Sequence, residues 1–204
     1  METSALFIKE AKYFGPFSKN MKPLITLSDK DIFPNAVVTE VGLWANRSTV
    51  KIILQNERGE IALVTNPVHG CYLLPGGGMD EGETVDMAAD RECREEVGYA
   101  IKDSVEIGFT EEFRARDGKH YVTRGVVATV GAPTGEDART ENEKALGLNV
   151  IWRTVREAHD IFVDQNRRLV EGKIDFYNTG FNIVRDGVLL DEAIRKWLIK
   201  PQKS

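Results

Sequence analysis

The chain has only two cysteines among 204 residues, Cys71 and Cys93. Two thiols do not make a disulfide framework, and Cys93 falls on the inward side of an expected helix, so both are read as reduced. Histidine is nearly as scarce: His69, His120 and His159 stand far apart, without the spacing of a zinc site. No apolar run approaches the roughly 18 residues of a membrane span, and the amino terminus lacks the basic flank and unbroken apolar stretch of a secretory signal. No membrane partner is expected, and the cytoplasm is the default compartment. Positive charge is not in excess either. Lys and Arg number 27 against 32 Asp and Glu, a net charge of −5; the cations are scattered, so no basic field is present to hold duplex nucleic acid. A small phosphorylated molecule bridged by metal remains compatible with this balance.

What is present is an ordinary globular composition, 42% apolar and 29% charged, long enough to bury a core without staples. Residues 1–35 differ from the rest. Pro16, Pro23 and Pro34 punctuate them and nothing supports a long helix. They read as an extension packed on the main domain or on a second subunit, the latter giving a homodimer, with the main domain occupying 36–204. From Val37 the signals are regular. "STVKIILQ" and "EIALVT" read as a hairpin across "NERG", and "YLLPGGG" as a strand end running into glycines. "VEIGFTEEFRARDGKHYVTRGVVATVG" reads as two strands about an Asp117-Gly118 turn. "LNVIW" is a further strand, and Thr154 to Glu157 form a capping-box pattern opening a helix with Val155, Ala158, Ile161 and Phe162 inward. A last helix over 181–200 has Val184, Val188, Ile194, Trp197 and Leu198 on one side. The fold class is α+β, a small mixed sheet with flanking helices.

The segment from Thr84 to Val97, closed by Gly98, reads as a helix. Val85, Ala88, Ala89, Cys93 and Val97 share the half of its surface that should face the core, and Glu92 and Glu96 project within that half, with Glu95 at its edge. Ionised carboxylates on a half-buried face are costly unless paired. Arg91 can pair with one; at least two remain. Side chains three and four apart have Cβ atoms about 5–6 Å from one another, close enough to share a divalent cation of the Mg²⁺ or Mn²⁺ type. Upstream, Gly76, Gly77 and Gly78 allow the backbone to approach a ligand closely.

Gly77, five residues, Glu83, seven residues, then "RECREEVGY" from Arg91 to Tyr99 match the Nudix signature at every fixed position. By chance such a match has a probability on the order of one in a million at ordinary residue frequencies. The chain resembles the Nudix hydrolases, which cleave a nucleoside diphosphate linked to another group. Cys93 and Tyr99 stand where that family prefers an aliphatic residue, and both can still pack. The resemblance implies an α/β/α sandwich over about 38–200 and a Mg²⁺ (or Mn²⁺) cofactor. It also implies metal ligands Glu92, Glu95 and Glu96 with a backbone carbonyl near Gly77, and a structural pairing of Glu83 with Arg91.

Several roles stay open at this stage. Glu95 is the leading candidate for general base, with the loop acids Glu141 and Glu143 as alternatives whose bland reading is a solvated charged loop. Arg114, Arg116 and Arg124 are candidates to meet substrate phosphates, and Phe113, Tyr121 and Trp44 to stack on a base, against the plainer reading that the rings fill the core. The implied activity is metal-dependent hydrolysis of a pyrophosphate linkage in a small nucleotide. A second reading, from another class, is a sensor that binds ADP-ribose or a similar nucleotide uncleaved; keeping all three glutamates favours catalysis. Removal of a 5′ end group from RNA would call for a basic groove, which the acidic balance disfavours. No proline lies between Pro75 and Pro133, which weighs against ADP-ribose as the substrate.

Overall fold

The computed structural model of the chain describes residues 22–38, 40–135 and 149–198. Within them the strands are β1 (Thr26–Ser28), β2 (Ala45–Gln55), β3 (Glu60–Asn66), β4 (Cys71–Leu73), β5 (Tyr99–Arg114), β6 (Lys119–Pro133) and β7 (Asn149–Thr154). The helices are α1 (Asp29–Ile32), α2 (Val85–Glu92), α3 (Val155–Val170) and α4 (Tyr177–Ala193). The seven strands form one mixed sheet in the order β1-β5-β6-β2-β3-β4, with β7 also on β3.

Alternation along the strands builds two cores, because successive side chains point to opposite faces. Val50, Ile52 and Leu54 of β2 join Ala62, Val126 and Ala128 against Ala88, Ala89 and Cys93 on the α2 side. Their neighbours Ile53, Ile61, Leu63 and Val127 pack instead against Ala158 and Phe162 of α3 and Leu189, Leu190 and Ala193 of α4. The result is an α/β/α sandwich. Thr154 caps α3 through the reciprocal bonds of a capping box with Glu157.

The expected hairpin of β2 and β3 is only marginal. The two strands meet at Gln55 and Ile61, and β2 instead lies parallel to β6 from Ala45↔Lys119 to Gln55↔Thr129. A parallel partner can be supplied only by a distant segment, so short-range reading misses it. Where β3 leaves β2, the backbone of 75–79 takes its place: Ile52 N donates to Pro75 O, Val50 N to Gly77 O and Met79 N to Ser48 O, each at 2.9–3.0 Å. The glycine segment is therefore an edge of the sheet, held in register. The last helix begins at Tyr177, and its buried side is Phe181, Ile183, Leu189, Leu190 and Ala193, with Val184, Ile194, Trp197 and Leu198 at the margin.

From the stretch expected as an extension, Thr26–Ser28 pair in parallel with Glu111–Phe113 of β5, and Leu27 and Ile32 are buried with Phe181 and Ile183. Both cysteines are free and buried; burial pushes the Cys71 thiol up to about 11, so neither is a nucleophile at neutral pH.

Candidate active site around the glycine loop

Thr84 opens α2 by accepting a hydrogen bond from Met87 N at 3.2 Å. The regular helix stops at Glu92, and Cys93–Val97 form a wider π-helical turn before Gly98 closes it with φ +78°. Such wide turns recur at functional sites. Here the turn carries Glu95 and Glu96 and aims them towards the glycine loop. Glu96 Oε2 accepts from Gly76 N at 2.6 Å. The Glu92 carboxylate lies beside Gly77, so close that a Cβ there would sit 2.7 Å from Oε1. Only glycine fits.

Arg91 organises these acids. Its Nε donates to Glu83 Oε1 at 2.9 Å and its Nη2 to Glu83 Oε2 at 3.0 Å and to Gly78 O at 2.8 Å. Its Nη1 serves Glu92 Oε1 at 2.8 Å and Glu95 Oε2 at 3.1 Å. One guanidinium thus ties the loop to three carboxylates. Hydrogen bonds from Arg91 and from Asp80 N hold the Glu83 carboxyl below its usual range. Glu92 is only 7% exposed; burial raises its pKa, against the pull of Arg91 and of Lys51.

Lys51 was not apparent as a site residue. It interrupts the apolar run of β2, is 8% exposed, and by strand alternation lies on the α4 side of the sheet with Thr49 and Ile53. Its Nζ donates to Leu74 O at 2.9 Å and to Gly76 O. Leu74 N donates in turn to Asp186 Oδ2 of α4 at 2.9 Å.

The other expected site residues lie at several different places in the fold. The Gly77 carbonyl accepts from Val50 N in the sheet ladder. It is the Gly76 carbonyl, released from the ladder by φ +123°, that faces a cation, Lys51. Arg114 is enclosed rather than open to solvent, donating to Glu112 Oε2 from Nε at 2.7 Å and to Asn178 and Asn182 of α4 at 2.8 Å, because the even-numbered side chains at this end of β5 point under α4. Phe113 stacks on His120 with centroids 4.4 Å apart and meets Trp44 edge-on at 5.4 Å. Arg116 is exposed and lies over Tyr177 at 5.1 Å. Phe113 stands at the hairpin end, level with Asn46 rather than Lys51 in the β2 register, roughly 16 Å along the strand from the level of Gly76 at about 3.3 Å per residue, and Arg116 lies in the turn beyond it. Tyr121 lies beneath the Arg114 guanidinium at 4.3 Å, and Arg124 reaches Glu106 at 2.6 Å. Glu141 and Glu143 lie outside the described residues.

The donor set suits a divalent cation: three carboxylates on adjoining turns beside a glycine loop that leaves its backbone open to close approach. Among the described residues no three acidic, His or Cys side chains converge on one metal-sized point, because Arg91 stands between Glu92 and Glu95. Metal binding at this site requires those carboxylates to turn from the guanidinium.

The NUDIX domain profile matches residues 45–173, the span from β2 through α3 that contains this site. The chain belongs to the Nudix family. A Bacillus subtilis protein named putative 8-oxo-dGTP diphosphatase is 33% identical over 142 residues, 68% of this chain and 87% of that protein. An RNA pyrophosphohydrolase from Psychrobacter is 36% identical over 80 residues, 39% of this chain and 46% of that protein. A solved structure described as an ADP compounds hydrolase superposes with TM-score 0.50 at 23% identity, over 76% of this chain and 74% of that one, a likeness of fold. This chain is a Nudix hydrolase with an α+β fold. None of its described helices is long and apolar enough to cross a membrane.

Proposed function

We propose that this Nudix hydrolase uses Mg²⁺ or Mn²⁺ to hydrolyse the pyrophosphate linkage of a small nucleotide, with a nucleoside triphosphate as the favoured substrate class. One observation carries the reading: Glu92 and Glu95 share the Arg91 guanidinium beside the glycine loop, and Glu96 accepts from Gly76 N within that loop. The 33% identity to the putative 8-oxo-dGTP diphosphatase, over most of that protein's length, supports a triphosphate over a nucleoside diphosphate linked to a sugar.

Glu92, Glu95 and Glu96 would hold the ion together with the Gly76 carbonyl. When bound, the ion offsets phosphate charge and lowers the pKa of a coordinated water. The chain's residues supply the rest. The loop of 76–78 presents backbone close to the phosphates without a side chain in the way. Glu95, the most open of the three ion-pair partners of Arg91, with its side chain 35% exposed, accepts the proton of the attacking water. The water oxygen bonds to phosphorus as the anhydride P–O bond breaks, giving two phosphate products. Arg91 and Glu83 keep loop and helix in register through the cycle.

The test is phosphate release from canonical and oxidised nucleoside triphosphates, nucleotide sugars, ADP-ribose, dinucleoside polyphosphates and 5′-triphosphorylated RNA, each with Mg²⁺ and with a chelator. Metal-dependent turnover greatest on a triphosphate is expected. Turnover of none of them would overturn the reading.

A further inference from the structure

The acid cluster offsets the buried charge of Lys51 only in part, through its attraction for Glu92. A buried ammonium is costly unless paired, yet among the described residues no ion pair involves it, and the acceptors of its Nζ are two backbone carbonyls, those of Leu74 and Gly76. Both carbonyls belong to the turn leading into the glycine loop. Within the same three residues, 74–76, two backbone N–H groups are taken by carboxylates: that of Leu74 by Asp186 of α4 at 2.9 Å, and that of Gly76 by Glu96 at 2.6 Å. Asp186 is itself wholly buried and fixed by Arg185, whose Nε donates to its Oδ1 at 2.8 Å. Gly76 cannot relax into an ordinary conformation, since its φ is +123° and a Cβ would lie 2.3 Å from Val50 O. The unusual backbone is held by charged groups from β2, from α4 and from the turn after α2.

We propose that Lys51 and Asp186 are positioning residues that clamp residues 74–76, so that the Gly76 carbonyl and the Glu96 carboxylate are presented together to the divalent ion. The clamp rests on the metal-dependent reading above and adds to it a link from α4 to the metal site. Neither residue touches the substrate. Lys51 acts through the Gly76 carbonyl, and Asp186 through the Leu74 amide, so their loss is felt first in metal affinity.

The experiment is a Mn²⁺ titration followed by electron paramagnetic resonance on the full chain without substrate, comparing wild type with Lys51→Met and Asp186→Asn. Wild type is expected to bind Mn²⁺ and Lys51→Met to bind it at least about tenfold more weakly, as for other residues that orient ligands. Raising Mg²⁺ should bring kcat of Lys51→Met back towards wild type, which a general loss of packing would not allow. Wild-type binding together with undiminished binding by Lys51→Met overturns the clamp alone. No binding by wild type overturns the metal reading and the clamp with it. Should the variants fail to fold, amide hydrogen exchange on metal-free wild type decides. Leu74 and Gly76 should exchange at least about a hundredfold slower than unstructured amides; exchange at the unstructured rate overturns the clamp.

Discussion

Arg91 Nε donates to Glu83 Oε1 at 2.9 Å across eight residues of chain, and this bond fastens the loop before α2 to the helix that bears the acids. The same guanidinium also neutralises Glu92 and Glu95. Arg91→Met should therefore destabilise the fold by about 2 kcal/mol, less than a fully buried pair because the side chain is 29% exposed. Urea unfolding of wild type and variant measures it, and an unchanged midpoint would show that the guanidinium is dispensable.

The three loop glycines should differ sharply on substitution by alanine. At Gly76 the added Cβ meets backbone, Val50 O at 2.3 Å, in a conformation with φ +123° that alanine resists. A loss of about 3 kcal/mol is expected. At Gly77 it meets the Glu92 carboxylate at 2.7 Å, so Mn²⁺ affinity should fall more than stability. At Gly78 it meets the mobile end of the exposed Arg47 side chain, and little should change. Thermal unfolding and Mn²⁺ titration of the three variants give the ranking; equal effects at Gly76 and Gly78 would contradict it.

Glu112 has no exposed surface and lies between Arg114 and Arg185, with Arg114 Nε at 2.7 Å and Arg185 Nη1 at 3.4 Å. Glu112→Gln keeps the shape and removes the charge, leaving buried guanidinium groups short of a counter-ion. The expected cost is about 3–5 kcal/mol, read from chemical denaturation. A cost below about 1 kcal/mol would mean that Asp186 and the asparagines of α4 suffice.

Burial pushes Glu106 up to about 7 from an ordinary value of 4.5, against the pull of Arg124. Arg124 Nε is 2.6 Å from Oε1, without the alignment of a hydrogen bond. An acid whose pKa is raised by folding holds its proton more tightly in the folded state. Its contribution to stability is therefore full below about 4.5 and is lost as pH rises through about 7. Glu106→Gln should remove that decline, so the variant gains on wild type as pH increases from about 5 to about 8. Parallel Tm curves over this interval would contradict the assignment.

The sequence made the acid helix legible because its chemistry is local: Gly77, Glu83, Arg91 and the three glutamates fall within 20 residues, and their spacing alone places them at one helix and its entry. The start of α3 was equally readable, since the Thr154 capping box is a short-range pattern. What escaped was non-local. Asp186 reaches Leu74 across 112 residues, Lys51 reaches Gly76 across 25, and β6 supplies the parallel partner of β2 from beyond α2. The lysine in "VKIIL" was the one available signal, a charge inside an apolar strand that demands a buried partner. The π-helical turn was missed because a regular 100° period places Glu95 and Glu96 only approximately. Arg114 and Phe113 looked like surface groups of a hairpin because α4, which covers one of them, is distant in sequence.

The central claim is that the acids at the glycine loop bind the metal used for hydrolysis. Its most direct test is phosphate release from a nucleoside triphosphate by Glu95→Gln and Glu96→Gln, with Mg²⁺ saturating and the fold verified by circular dichroism. Both variants should lose at least about a hundredfold in turnover, as when a charge-stabilising group is removed, and wild type should fall to the same level in chelator. Wild-type turnover by both variants, or full activity without a divalent ion, would contradict the account.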